Sequence, residues 1–543
     1  MGALTLKSFP FELRGWDIEK FESIDPTDGF GTNTRVYISK QIVIQIEPDH
    51  AENTTNAWLS DKGRQFFDGI FGTWNNRNEQ SKNLIFKKES WQKNLKTLLK
   101  TLYLFEHCNV KTKKTYFFTV VFENLGIQTL SLLKLIEQKY SFLKLRRAEN
   151  LNMPYNFEFN FQLNTASDLN ILKSSTLCLL VANNPRYEGY HLNMKLRQRY
   201  LKGNFKCLVL GSLVDLTFPN INVGTNFKLL KEIAEGNSFV CQDFKTSKKP
   251  MLIFGSEFYK RTDCKNVLEM FNKFNYTNIV NKTWNGLNSL NATLSEVGTQ
   301  TLNNFLSLKD KDFCEFSSLY FVNVNAQNIP NLKKITETKL LIARSKNLKK
   351  RPNIDMLFLD QNSRTKNNQT FSRNCFEPAN NKNYNFLPST MFYENEETFI
   401  NTEGFIKKTN KLITKRKTRS GWKLLRNLLK QLKTKYVALD YKNNNILSFN
   451  ANKQSNFTHF FSFNYCAVEK LESLTPFLTV KNQPFIISKT NTSFKQMPLK
   501  IKNTKSKYWI DDFFTGGKDE YSGMSLVLSN CSKIQRTQST TFF

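Results

Sequence analysis

The sequence predicts a multi-lobed α/β protein in which parallel sheets are flanked by helices behind a small β-rich opening segment. Three observations carry that prediction. Between residues 116 and 274, short apolar runs alternate with stretches of helical periodicity, the rhythm of parallel strands joined by crossover helices. Residues 35–47 alternate apolar and polar positions on both sides of Ser39-Lys40, which is a hairpin pattern. Hydrophobic residues make up 40% of the 543, enough to build buried cores.

Taken in order, Arg35–Glu47 forms the hairpin, and a helix follows near Trp58–Ile70. Trp91, Leu95, Leu98, Leu99 and Leu102 share one helical face, with Ser90 placed to cap it. Tyr116–Phe122 reads as a buried strand, and Leu130–Ile136 falls in an apolar helix. Thr176–Ala182 is a second buried strand, followed by a polar loop over Asn183–Gly189 and a helix over His191–Leu201 that Gly203 ends. Strand Phe205–Gly211, helix Phe227–Glu235 with Gly236 behind it, strand Met251–Gly255 and helix Asp263–Phe274 continue the series. Further strands are expected at Leu319–Val324 and Leu340–Ala343. Residues 345–385 turn polar and read as an inserted loop. A helix on Trp422, Leu425, Leu428, Leu429 and Leu432 follows, and the pattern from 436 to about 505 is weak. Length suggests about three to four folding units. Three α/β lobes are placed at 48–170, 171–275 and 276–435 with the insertion near 345–385, between a β-rich opening segment at 1–47 and an extension at 436–543 ending in a helix.

The formal charge is +32 at pH 7, which admits nucleic acid, anionic lipid or acidic proteins as partners. The accompanying excess of Lys, Asn, Phe, Ile and Tyr is how a coding sequence with strong A+T bias reads, and Lys then accumulates on solvated faces. The basic clusters Lys349-Lys350-Arg351 and Lys415–Arg419 stand beside no recognisable nucleic-acid module, so no nucleic-acid partner is expected. No run approaches the roughly 18 apolar residues of a membrane-spanning helix. The nine cysteines are scattered with no C-x-x-C pair, a count and spacing that fit a reducing compartment and offer no zinc or cluster signature.

Tests for chemistry return nothing. Neither G-x-G-x-x-G nor G-x-x-x-x-G-K-[ST] occurs, no G-x-S-x-G elbow exists, and the four histidines include no H-E-x-x-H. His107-Cys108 lacks a third orienting group. Asp511-Asp512 reads as a helix start, and Gly516-Gly517 as a turn. No catalytic, cofactor-binding or metal-ligating residue is therefore expected.

Several segments nevertheless resemble one family in matching order. Gly2–Phe11 with Lys20–Asp25, Phe30–Val36 and Trp58–Lys62 is similar to its opening motifs G-A-L-T-x-K-P, T-E-S-I-D, G-S-N-I and W-I-S-D-K. Phe161–Thr165 matches the approach to the second sheet lobe. Leu179-Leu-Val-Ala-Asn-Asn-Pro-Arg-Tyr-Glu188 resembles L-L-V-G-T-N-P-R-F-E, and the likeness runs through Gly211–Thr217 to Lys249–Ser256. Leu387-Pro388, Asn401–Gly404, Trp422–Arg426 and Ile510–Thr515 continue it. The family is the carboxy-terminal, molybdopterin-oxidoreductase-like part of the large iron–sulfur subunit of respiratory complex I.

That resemblance implies a molybdopterin-oxidoreductase-like fold and a structural, non-catalytic subunit in the matrix arm of mitochondrial complex I. The assembly moves electrons from NADH to ubiquinone and pumps protons. Met1 stands where the family's cluster motif would finish, so the resemblance implies a separate cluster-bearing amino-terminal half as partner, with other matrix-arm subunits, and no iron–sulfur cluster in this chain. The opening residues do not look like a presequence, which makes mitochondrial encoding the expectation. The family's catalytic cousins take a protein ligand to molybdenum just before the position of Asn164, and 143–163 contain no Cys, Ser or Asp. Ala182 stands where the family has Gly, and Phe405 where it has Arg. Two alternatives stay open: an active molybdopterin-dependent oxidoreductase, and an organellar nucleic-acid-binding protein.

Overall fold

The computed structural model describes residues 13–49, 58–70, 117–148, most of 172–302, 306–308, 316–324, 357–360, 384–387, most of 390–429 and parts of 501–540. Strands β1 (Glu19–Ile24), β2 (Asn33–Ser39) and β3 (Ile42–Pro48) form an antiparallel meander in the order β1-β2-β3. The expected hairpin is β2–β3. Its turn residues Lys40 and Gln41 both have positive φ, 48° and 68°, the tight primed turn whose twist matches the flanking strands. β1 went unread because four of its six residues stay outside the core. The helix expected near Trp58 starts only at Asp61, where Ser60 Oγ accepts the Gly63 N–H at 2.9 Å. Trp58 itself is 61% exposed.

Two five-stranded parallel sheets follow. Strands β4 (Phe117–Phe122) and β5 (Leu143–Arg147) begin one of them. The other is complete within β6 (Leu177–Val181), β7 (Lys206–Leu210), β8 (Ile221–Gly224), β9 (Pro250–Phe254) and β10 (Leu287–Ser289), in the order β10-β9-β6-β7-β8. The chain then returns with β11 (Phe316–Val322), β12 (Leu357–Asp360) and β13 (Tyr384–Leu387) to finish the first sheet as β13-β12-β11-β4-β5. Strands from segments 48–170 and 276–435 thus hydrogen-bond in one sheet, while Leu287–Ser289 joins the strands of 171–275. A small antiparallel pair, β14 (Thr398–Ile400) and β15 (Ile406–Lys408), stands apart.

The run Leu177-Cys-Leu-Leu-Val181 is continuously apolar because both faces of β6 are covered. Leu177, Leu179 and Val181 pack with Leu208, Phe227, Phe254 and Phe258. Cys178 and Leu180 face the other way, against Cys207, Val209, Leu192 and Leu196. Cys178 and Cys207 are register partners on β6 and β7. Each fully buried Leu, Val or Phe here is worth roughly 1.5–3 kcal/mol of transfer free energy. In the first sheet, helix Ile127–Lys139 lays Leu130, Leu133 and Ile136 against β4 and β5, and Leu424, Leu425, Leu428 and Leu429 of the helix over 421–429 close the same core.

Several expectations change. The region 345–385, read as an inserted loop, supplies β12 and the first half of β13 to the first sheet; four-residue strands are too short to stand out in an Asn- and Lys-rich background. The Asn183–Gly189 loop contains a helical turn, Pro185–Glu188, because Asn184 caps it and Pro185 presets its first φ. Helix Lys228–Glu235 does stop at Gly236, at φ +82°. The expected helix at Ser90–Leu102, the strand at Leu340–Ala343 and most of 436–505 lie outside the described residues. No described helix is long and apolar enough to cross a membrane.

Candidate functional site

Open parallel sheets bind ligands beyond the carboxyl ends of their strands, where the strand order reverses. In the second sheet that crevice lies between β6 and β9. β6 runs into Ala182, Asn183 and Asn184, and Ala182 sits at φ +50°, a conformation glycine adopts without strain. This is the position at which the resemblance expects Gly. Asn183 Nδ2 reaches across the crevice to the Ile253 carbonyl, 3.1 Å away. A methyl group on Gly255 would overlap the Ala182 carbonyl oxygen and Asn183 Cβ. The two strand ends therefore meet without room between them. Gly255→Ala is expected to destabilise the protein by about 2–3 kcal/mol, because backbone must move to admit the methyl group; an unchanged thermal midpoint would contradict this packing.

In the first sheet the order reverses between β4 and β11. β4 leads through Asn124, at φ +45°, to Gly126, which opens helix Ile127–Lys139. Free N–H groups and the helix dipole make such an end a place for an anion. Here the anion is internal. Glu397 Oε2 accepts the Gly126 N–H at 2.9 Å, and its Oε1 accepts the Thr129 hydroxyl at 2.7 Å. Glu397 is 4% exposed, and burial pushes its pKa up against the opposing pull of these bonds.

A third polar cluster ties the opening segment to the body. Asp28 Oδ1 accepts the Phe30 and Gly31 N–H groups at 3.0 and 3.2 Å, and Asp25 Oδ1 accepts that of Thr27 at 2.9 Å. Thr32 Oγ1 lies 2.9 Å from Tyr190 Oη and 2.8 Å from His191 Nε2. From the other side, Asn401 Nδ2 donates to the Phe30 carbonyl and Thr402 Oγ1 to that of Gly29, each at 3.0 Å. Burial, with Asp25 next in effect, pushes Asp28 up to about 8. Burial and then Lys195 and Lys407 push His191 down to about 3, so its imidazole is neutral at ordinary pH. This cluster holds segments together; its one hydroxyl–imidazole pair, Thr32 and His191, is buried. Among the described residues no three His, Cys, Asp or Glu side chains converge as a metal site. His107-Cys108, Asp511-Asp512, Gly516-Gly517 and both basic clusters lie outside the described residues.

The sequence profile described as Molybdopterin oxidoreductase matches residues 86–431, well over half of the chain. The chain belongs to that family. A second profile, described as NADH-ubiquinone oxidoreductase NDSU1/NuoG-like, 4Fe-4S domain, matches residues 18–68. Similar proteins include the NADH-ubiquinone oxidoreductase 75 kDa subunit of Reclinomonas americana, 31% identical over 56% of this chain and 45% of the relative. The mitochondrial 78 kDa subunit of Neurospora crassa is 27% identical over 55% and 40%. The mitochondrial NADH dehydrogenase [ubiquinone] iron-sulfur protein 1 of Solanum tuberosum is 25% identical over 79% and 53%. The chain thus spans about half, or less, of the length of these relatives. Among solved structures, a chain of the Methylorubrum extorquens formyltransferase/hydrolase complex aligns over 62% of this chain and 97% of its own, at TM-score 0.37 and 9% identity, too remote to bear on function.

The 4Fe-4S match corrects the expectation that iron–sulfur clusters belong only to a separate polypeptide. A segment of an iron–sulfur domain lies within this chain, over β1–β3 and the helix at Asp61–Gln65. Clusters are held by Cys thiolates, and residues 18–68 contain no Cys, so these residues alone do not fit a cluster and its thiolates must come from elsewhere. A pterin dinucleotide fares no better at the two crevices described, since Asn183 fills one and the Glu397 carboxylate holds the anion position of the other. Sequence reasoning missed Glu397, and only its placement beside the quoted Asn401–Gly404 segment could have pointed there.

Proposed function

We propose that the chain is a structural subunit of the matrix arm of mitochondrial complex I, non-catalytic on its own, supporting NADH-to-ubiquinone electron transfer coupled to proton pumping. One observation carries the reading. The segment matching a 4Fe-4S domain is fastened into the molybdopterin-type body through Thr32, Tyr190, His191, Asn401 and Thr402. Such fastening suits a protein whose task is to hold a redox domain in place, because electron-transfer rates fall steeply with distance. Its partners are then a cluster-bearing amino-terminal polypeptide and other matrix-arm subunits, on the matrix side of the inner membrane, with the chain itself encoded in the mitochondrial genome.

The test is mass spectrometry of the native assembly with elemental analysis of the same sample. Co-migration with flavin- and cluster-bearing NADH dehydrogenase subunits, with iron present and molybdenum absent, is the expected result. Stoichiometric molybdenum in a small complex lacking those subunits would overturn the proposal.

A further inference from the structure

The closing helix of the chain, Leu526–Thr540, is built onto the segment that matches the 4Fe-4S domain. Ser525 Oγ accepts the Leu528 N–H at 3.2 Å, capping the helix, and donates to the Gln65 carbonyl at 3.3 Å. The carboxylate of Asp68, the last residue of the match, faces the Val527 N–H at the same helix start. Just before that start, the Tyr521 ring lies 6.1 Å from that of Phe66. Gly69 passes so close to the Tyr521 carbonyl that a methyl group on it would overlap the oxygen. Opening segment and closing helix are packed together.

That packing uses one side of the helix. Leu528 and Ser532, four positions apart, are 1% and 3% exposed. On the opposite side Leu526 and Ile534 are 71% and 58% exposed, and Val527 is exposed beside them with Asn530 and Lys533. A helix that faces water on one side carries polar residues there. Three large apolar side chains within nine residues make instead the kind of patch that marks a protein contact. The helix sequence contains no Asp or Glu, so its electrostatic complement is an acidic surface.

The neighbouring segment says what covers the patch. Residues 18–68 supply no Cys, and Cys178, Cys207, Cys241 and Cys264 lie in or beside the β6–β10 sheet. Cys531 is then the one described cysteine near the match, and a 4Fe-4S cluster takes four thiolates. We propose that Leu526, Val527 and Ile534 form the docking stripe for the polypeptide that carries the cluster cysteines, with Lys533 meeting carboxylates on it. The proposal rests on the scaffold reading and adds to it the surface by which that partner is held.

The experiment uses the native assembly and a reagent that is amine-reactive at one end and photoreactive at the other, so that Lys533 captures whatever lies against it. Links from Lys533 to a subunit bearing the iron–sulfur cysteines, read by mass spectrometry, are the expected result. Links confined to this chain, to a second copy of it, to lipid or to a subunit without those cysteines would overturn the proposal. In a second arm, Leu526→Glu combined with Ile534→Glu should lower the iron recovered with this chain at least tenfold. Leu201→Glu, at an exposed position on helix Tyr190–Leu201, should leave it unchanged. Equal iron in all three proteins would overturn the proposal, and if the double variant does not fold, the wild-type links decide. The two readings fail differently. Flavin- and cluster-bearing subunits present but never linked to Lys533 sink the docking stripe alone, whereas molybdenum in an assembly lacking those subunits sinks the scaffold reading as well.

Discussion

Glu397→Ala is expected to cost about 3 kcal/mol, since it strands the buried Gly126 N–H and Thr129 hydroxyl and strips the anion from a helix start. The loss concentrates where helix Ile127–Lys139 begins. At tenfold per 1.4 kcal/mol, backbone amides near residues 126–130 should exchange with solvent about a hundredfold faster, as hydrogen-exchange mass spectrometry of the assembly would read. Glu397→Gln keeps one acceptor and should cost less than half as much. Unchanged protection in Glu397→Ala would mean that the carboxylate does not hold the helix.

Asp28→Asn should flatten the pH dependence of stability. Asp28 ionises near 3.8 when unfolded and at about 8 when folded. Between those values the folded chain keeps a proton that the unfolded chain has released, so stability is greatest below the lower value and falls as pH rises through the upper one. The groups facing it are Asp25, which raises its pKa, and Lys62, which lowers it; Tyr190 and His191 stand across the cluster. Asn keeps the oxygen that accepts from Phe30 and Gly31 but cannot titrate. Unfolding free energies measured between about pH 5 and pH 9 should therefore show wild type losing about 4 kcal/mol more than the variant. Parallel profiles would refute the buried proton.

Much of the fold was legible because β4, β6, β7 and β9 are buried on both faces and so read as unbroken apolar runs, and because Gly203 and Gly236 mark helix ends. The strands that escaped share a different property. β1 leaves most of its residues outside the core, β5 mixes Lys and Arg into five residues, and β8 is a four-residue edge strand ending in Gly224. β12 and β13 are as short, in a polar setting. Their pairing is made by other strands, some close by as β2 is to β1, and the periodicity within one segment does not register it. The same holds for the candidate sites. Glu397 meets Gly126 across 271 positions, and nothing around Asn395-Glu-Glu-Thr398 marks the second Glu as different from the first. The cap that Asn184 gives Pro185–Glu188 lies within consecutive residues, whereas Asn183 reaches the Ile253 carbonyl seventy positions away.

The returning path of the chain sets an order of events at the ribosome. The sheet of β6–β10 is inserted between β5 and β11, and all its strands emerge together, so it can fold while the earlier sheet waits. Until Phe316–Val322 has been synthesised, β4 has a partner on one side only. Its sequence, Phe-Phe-Thr-Val-Val-Phe, has the composition of a segment that pairs with copies of itself. Helix Ile127–Lys139 follows at once and can shield a face of that strand, but not its open edge. The nascent chain is therefore most exposed to misassembly during the interval between these two strands, when a chaperone would have most to do.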